Sequence, residues 1–101
     1  MTDVHDALIA PVAVREFAKA HVLREAVLLP APNGWVMIFR MGAEERTLRM
    51  RDAAEPRYFQ TLNAAGRYAQ KMGVPRLVIE LANWAAPTRP ARQRFSSTRR
   101  A

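Results

Sequence analysis

The chain has 101 residues, half of them hydrophobic, with no cysteine and a formal net charge of +7. That length fits one domain with a thin core, for which homodimerisation is a natural supplement, and the lack of cysteine excludes disulfides, thiol catalysis and Cys-ligated zinc or iron–sulfur centres. Residues 1–10 carry Asp3 and Asp6 without Lys or Arg, unlike a secretory signal, and no run approaches the roughly 18 apolar residues of a membrane span, so a soluble cytoplasmic protein with no membrane partner is expected.

The charge is unevenly placed. From Ala86 onward stand five arginines (Arg89, Arg92, Arg94, Arg99 and Arg100) and no acid, which leaves 11 basic against 9 acidic groups in the other 85 residues. Lys19 and Lys71 are the only lysines among 16 cations. Arg matches phosphate bidentately better than Lys does, but a GC-rich genome favours Arg as well, so the preference alone does not decide a ligand.

Residues 1–10 read as a loose lead-in. Residues 11–20 read as a short helix, with Pro11 in its first turn and Val14, Phe17 and Ala18 on one face. Arg15, Glu16 and Lys19 point outward. Residues 22–29 are expected to form a strand, with Leu23, Glu25, Val27 and Leu29 on one face and Arg24, Ala26 and Leu28 on the other. Pro30-Ala31-Pro32-Asn33-Gly34 then ends in Asn-Gly, a strong hairpin signal. Residues 35–41 are apolar on both faces (Trp35, Met37, Phe39 and Met41 against Val36 and Ile38), as in a central strand.

Gly42-Ala43-Glu44-Glu45 reads as a turn. Residues 46–51 read as a third antiparallel strand, with Leu48 and Met50 inward and Thr47, Arg49 and Arg51 outward. Pro56 is placed at the start of a helix over 57–72, in which Tyr58, Leu62, Ala65, Ala69 and Met72 make an apolar stripe. Gly73 and Pro75 mark its end. Residues 76–81 make a last strand. The expected fold is α+β in the order α-β-β-β-α-β: a four-stranded, mostly antiparallel sheet with two helices on one face. The domain spans residues 1–85, and residues 86–101 form an Arg/Pro-rich tail expected to be disordered in the free chain.

Signals of catalysis are scarce. His5 stands between Asp3 and Asp6 in the lead-in, where no fixed metal geometry is expected. His21 ends the first helix, where an imidazolium suits the helix dipole. Glu44 and Glu45 fit a solvated turn, Ser96 and Ser97 have no base nearby in sequence, and no phosphate-cradling glycine loop exists. A protein that is not an enzyme, with no metal and no cofactor, is expected. The basic residues say more. Arg49 and Arg51, on one face of the expected third strand beside Arg46 and Arg57, fit either phosphate contact or a solvated edge. The tail arginines fit a DNA-binding arm or a solubilising tail. With all five on duplex phosphates the salt slope would be about −4.5. Phe95 is placed to stack or to meet a partner. Trp35 is expected in the core, and Trp84 either caps the sheet or meets a partner.

Gly34-Trp35-Val36-Met37-Ile38-Phe39-Arg40-Met41-Gly42 and Glu45-Arg46-Thr47-Leu48, then Arg57-Tyr58-Phe59-Gln60-Thr61-Leu62 and Met72-Gly73-Val74-Pro75-Arg76-Leu77-Val78-Ile79-Glu80, together resemble the ParC-like family of short partition-associated proteins of plasmids and integrative elements. The leading Pro11-Val12-Ala13-Val14-Arg15-Glu16 is similar to that family's first helix. The resemblance runs over about residues 8–82 and departs from the family pattern in the short basic tail. It implies a non-enzymatic accessory role in maintaining a plasmid or mobile element, through DNA or a partition protein. The alternative is an interaction module that binds such a protein without touching DNA.

Overall fold

The computed structural model describes residues 8–82 and Trp84. The elements run β1 (Leu8–Ile9), α1 (Pro11–Lys19), β2 (Glu25–Ala31), β3 (Gly34–Met41), β4 (Glu44–Leu48), β5 (Tyr58–Phe59), α2 (Leu62–Met72) and β6 (Leu77–Ile79). The expected α+β class and both helices are present. The sheet differs: it is six-stranded and mixed, in the order β1-β4-β3-β2-β6, with β5 also on β3. The meander β2-β3-β4 is antiparallel, but β1 joins β4 and β6 joins β2 in parallel.

The two extra strands come from segments too short to show a period. Leu8 and Ile9, read as lead-in, pair with Thr47 and Leu48. Tyr58 and Phe59, read as helix, pair with Val36 and Trp35. The reason lies in β4, which covers only the Ile38–Met41 end of β3. The other end of that edge would be left with open backbone groups, and buried backbone groups require partners; β5 supplies them. The helix therefore starts later, at Leu62. Thr61 caps it, its Oγ1 accepting from Ala64 N–H at 3.1 Å.

The turns also shift. The first hairpin pairs Ala31 with Gly34 around Pro32-Asn33, so Pro30 lies inside β2. Gly34 is required for a different reason from a turn: at φ +134° a Cβ there would sit 2.5 Å from the Phe59 carbonyl oxygen. Glycine lets β5 approach β3. Gly73 ends α2 in the left-handed region, as its place in the sequence implies.

Strand alternation sorts the two sheet faces. Ala26, Leu28, Trp35, Met37, Phe39, Leu48 and Phe59 share one buried cluster with Val14 of α1 and with Ala65, Ala69 and Met72 of α2. Both helices thus cover the same face, as expected. The opposite face carries Val27, Leu29, Val36, Ile38, Thr47 and Val78, of which only Val27 and Thr47 are buried. Neither helix lies over it.

Candidate functional site

The residues expected to contact DNA fall into two sets. Arg89, Arg92, Arg94, Arg99 and Arg100, with Phe95, lie outside the described residues, as do His5, Ser96 and Ser97. Arg49 and Arg51 are described, and the strand face they were expected to share does not form. β4 stops at Leu48. Arg49 makes an isolated bridge with Pro56, and Arg51 lies in the bend that follows. Met50, expected inward, is exposed.

The cause is a short closed loop. Met50 N–H donates to the Glu55 carbonyl at 2.9 Å and Arg57 N–H to the Leu48 carbonyl at 2.9 Å. The Arg49 guanidinium Nη1 donates to the Met50 and Ala53 carbonyls, both at 3.1 Å. A charged donor bonded to two carbonyls is a clamp on the loop. Arg51, by contrast, is exposed. Arg57 is also occupied, its Cζ 4.8 Å from the Phe59 ring centre and 4.6 Å from that of Tyr68. Such stacking holds a guanidinium over aromatic faces. Burial pushes the Tyr68 phenol above its usual value, while the Arg57 charge pulls it back.

The open face carries an ion-pair ladder that the sequence did not announce. Arg40 Nη1 bonds Glu25 on β2 and Arg40 Nε bonds Glu45 on β4, each at 2.7 Å. Arg76, beside β6, reaches Glu25 at 3.6 Å. The row Arg76–Glu25–Arg40–Glu45 thus crosses the sheet. The hydrogen bonds that Arg40 donates to the Glu45 and then the Glu25 carboxylate raise its pKa. Glu25 and Arg40 are far apart in sequence and become neighbours only through the hairpin register. A turn at Pro32-Asn33 rather than Asn33-Gly34 is the signal that would have paired them. Glu45 is therefore a ladder member and Glu44 a surface partner of Arg46 at 3.4 Å. Among the described residues no group of three His, Asp or Glu is placed to hold a metal ion.

Of its two expected roles, Trp84 takes that of a cap on the sheet end. Its N–H donates to the Leu81 carbonyl at 3.0 Å, and this turn brings its ring onto Trp35, centroids 6.2 Å apart and planes at 28°. Trp35 is in the core; Trp84 remains 43 % exposed. The pair forms one wall of a cleft of about 850 Å³ whose other side is Pro30, Pro32 and Gln60. Gln60 Nε2 donates to the Asn33 carbonyl at 2.8 Å and fixes the hairpin against the chain entering α2. The exposed indole and two prolines supply apolar contacts in a cleft whose lining also holds the polar groups of Asn33 and Gln60. Among the described residues no helix is long and apolar enough to cross a membrane.

These features define a class: a small two-layer α+β protein whose described residues offer contact surfaces, an aromatic cleft and an open sheet face. The chain belongs to the ParC-like family, whose model matches residues 9–88. Membership points to a plasmid- or partition-related role. No curated protein and no solved structure matches the chain significantly.

Proposed function

We propose that this protein is a non-enzymatic accessory factor in the partition or maintenance of a plasmid or other mobile element, and that it contacts DNA through its basic tail. Family membership over residues 9–88 carries the partition reading. The charge distribution supports the DNA part: five arginines and no acid follow residue 85. Clustered Arg without acids gives sequence-independent attraction to a phosphate backbone. Arg51 is the exposed body residue that extends this contact, whereas Arg49 and Arg57 serve the loop and the aromatic pair. The site of action is the cytoplasm, where such elements reside.

Fluorescence anisotropy with labelled duplex DNA tests this reading. The full chain binds at low salt and weakens as salt rises, and a chain ending at residue 85 loses most of the affinity. Absence of binding at low salt, or equal binding by the truncated chain, removes DNA from the function.

A second reading is favoured by the exposed Trp84 beside Pro30 and Pro32. Here the cleft docks a partition or DNA-binding protein without DNA contact. Capture of that partner then survives moderate salt, does not need residues 86–101, and fails for Trp84→Ala. Buried aromatic anchors are common hot spots, and their truncation typically costs about 2 kcal/mol or more of binding.

A further inference from the structure

The β6 strand is an edge of the sheet. It pairs in parallel with β2, and among the described residues no strand pairs with its outer side. Ala26 N–H donates to the Arg76 carbonyl and Glu80 N–H to the Leu28 carbonyl. With Ala26 opposite Leu77 and Leu28 opposite Ile79, the inward groups belong to Arg76, Val78 and Glu80. The donors and acceptors of Leu77 and Ile79 therefore point outward, where a further strand would meet them.

We propose that this edge pairs antiparallel with β6 of a second copy of the chain, about a two-fold axis at Val78. In this register Leu77 faces Ile79 of the second copy, and both residues present outward groups, so the two symmetric pairs exchange four main-chain hydrogen bonds. Val78 faces Val78 as a close, non-hydrogen-bonded pair. Arg76 faces Glu80 of the second copy, twice. Edge, charge and apolarity thus agree in one register.

The neighbouring registers fail on the same chemistry. Pairing Leu77 with Leu77 sets Pro75, which has no N–H, at a hydrogen-bonding position opposite Ile79. It also sets Arg76 against Val78. Pairing Ile79 with Ile79 sets Glu80 against Val78 and Arg76 against Ala82. The Val78-centred register alone matches opposite charges, and opposite charges directly across a strand pair stabilise it.

The rest of the sheet is arranged to continue through that axis. Arg76 already ends the ladder Glu45–Arg40–Glu25–Arg76, and its side chain is 74 % exposed. Glu80 makes no ion pair among the described residues and would extend the ladder into the second copy. The mainly apolar row Leu8, Thr47, Ile38, Val27, Val78, set by the strand registers, would run on through Val78 of the second copy. On the helix side, Ile79 is 39 % exposed and gains a partner in Leu77. The interface is small, so the dimer is expected to be weak and concentration-dependent.

The full chain has no cysteine, so one introduced thiol reports the register directly. Val78→Cys places two thiols opposite each other at a Cα separation of about 4.5 Å, within disulfide reach. Glu80→Cys places its thiols four residues apart along the strands, about 14 Å. In a glutathione redox buffer the Val78→Cys chain should form disulfide-linked dimer at least about tenfold faster. Equal rates would overturn the proposal.

Charge variants test the same pairing by sedimentation velocity without touching the core. Arg76→Glu and Glu80→Arg should each sediment as monomer at concentrations where the unaltered chain associates. Mixed together, they should form a heterodimer, because both cross-strand pairs are again Arg with Glu. Association of either variant alone as strongly as the unaltered chain, or an unaltered chain that stays monomeric at millimolar concentration, would also overturn it.

Discussion

The two faces of this sheet come from the same strands and do different things. On the helix side Ala26, Leu28, Met37, Phe39 and Leu48 are wholly buried. On the other side Leu29, Val36, Ile38 and Val78 stay partly exposed, ended by the Arg76–Glu25–Arg40–Glu45 ladder. Alternation along β3 separates them by a single residue: Phe39 holds the core and Ile38 does not. Packing, and with it stability, is concentrated on one side, while the other keeps apolar and charged groups available for contact.

The largest expected break in this contrast is Phe39→Ala. Removing a buried Phe costs about 3–5 kcal/mol, a large share of the stability of a domain this size. Ile38→Ala, one residue away on the open face, should cost only about 1–2 kcal/mol, since a partly exposed side chain loses less contact. Urea unfolding of both variants measures the gap; comparable losses would erase the distinction between faces. Gly34→Ala comes next, at about 2–4 kcal/mol, because a Cβ at 2.5 Å from the Phe59 carbonyl oxygen must push β5 away from β3. Thr61→Ala should cost about 1 kcal/mol through loss of the α2 cap.

The smallest effect belongs to Tyr68. Its raised pKa means that the folded state holds the phenol proton more tightly than the unfolded chain does. That contribution is complete below the unfolded pKa and is lost as pH rises through the folded one. Stability measured from pH 9 upward should therefore decline less for Tyr68→Phe than for the unaltered chain.

Much of the helix-covered face was legible in the sequence. The apolar run of β3 announced a central strand, Pro11 and Gly73 marked real helix ends, and Leu48 pointed inward as its alternation implied. The rest depended on pairing between distant segments. Tyr58 falls four residues before Leu62, a helical spacing, yet it lies in a strand because the short β4 left part of β3 uncovered. Gly34 looked like a turn glycine but is fixed by the approach of Phe59. Arg49 and Arg51 looked alike by charge, and only the loop's carbonyls separate a clamp from an exposed cation. The capping of the sheet end by Trp84 was legible as one alternative, whereas its stacking on Trp35 needed the turn at Leu81.

The proposed role divides the chain between a nearly charge-balanced body and a strongly basic tail. The most direct measurement is the affinity of the full chain for duplex DNA over a series of salt concentrations, beside that of a chain ending at residue 85. The expected log–log slope is about −5.4 for the full chain, one increment of about −0.9 for each of the five tail arginines and for Arg51 on a phosphate, and it should fall to about −0.9 on truncation. A slope unchanged by the truncation would place the contact on the body of the protein and contradict the assignment to the tail.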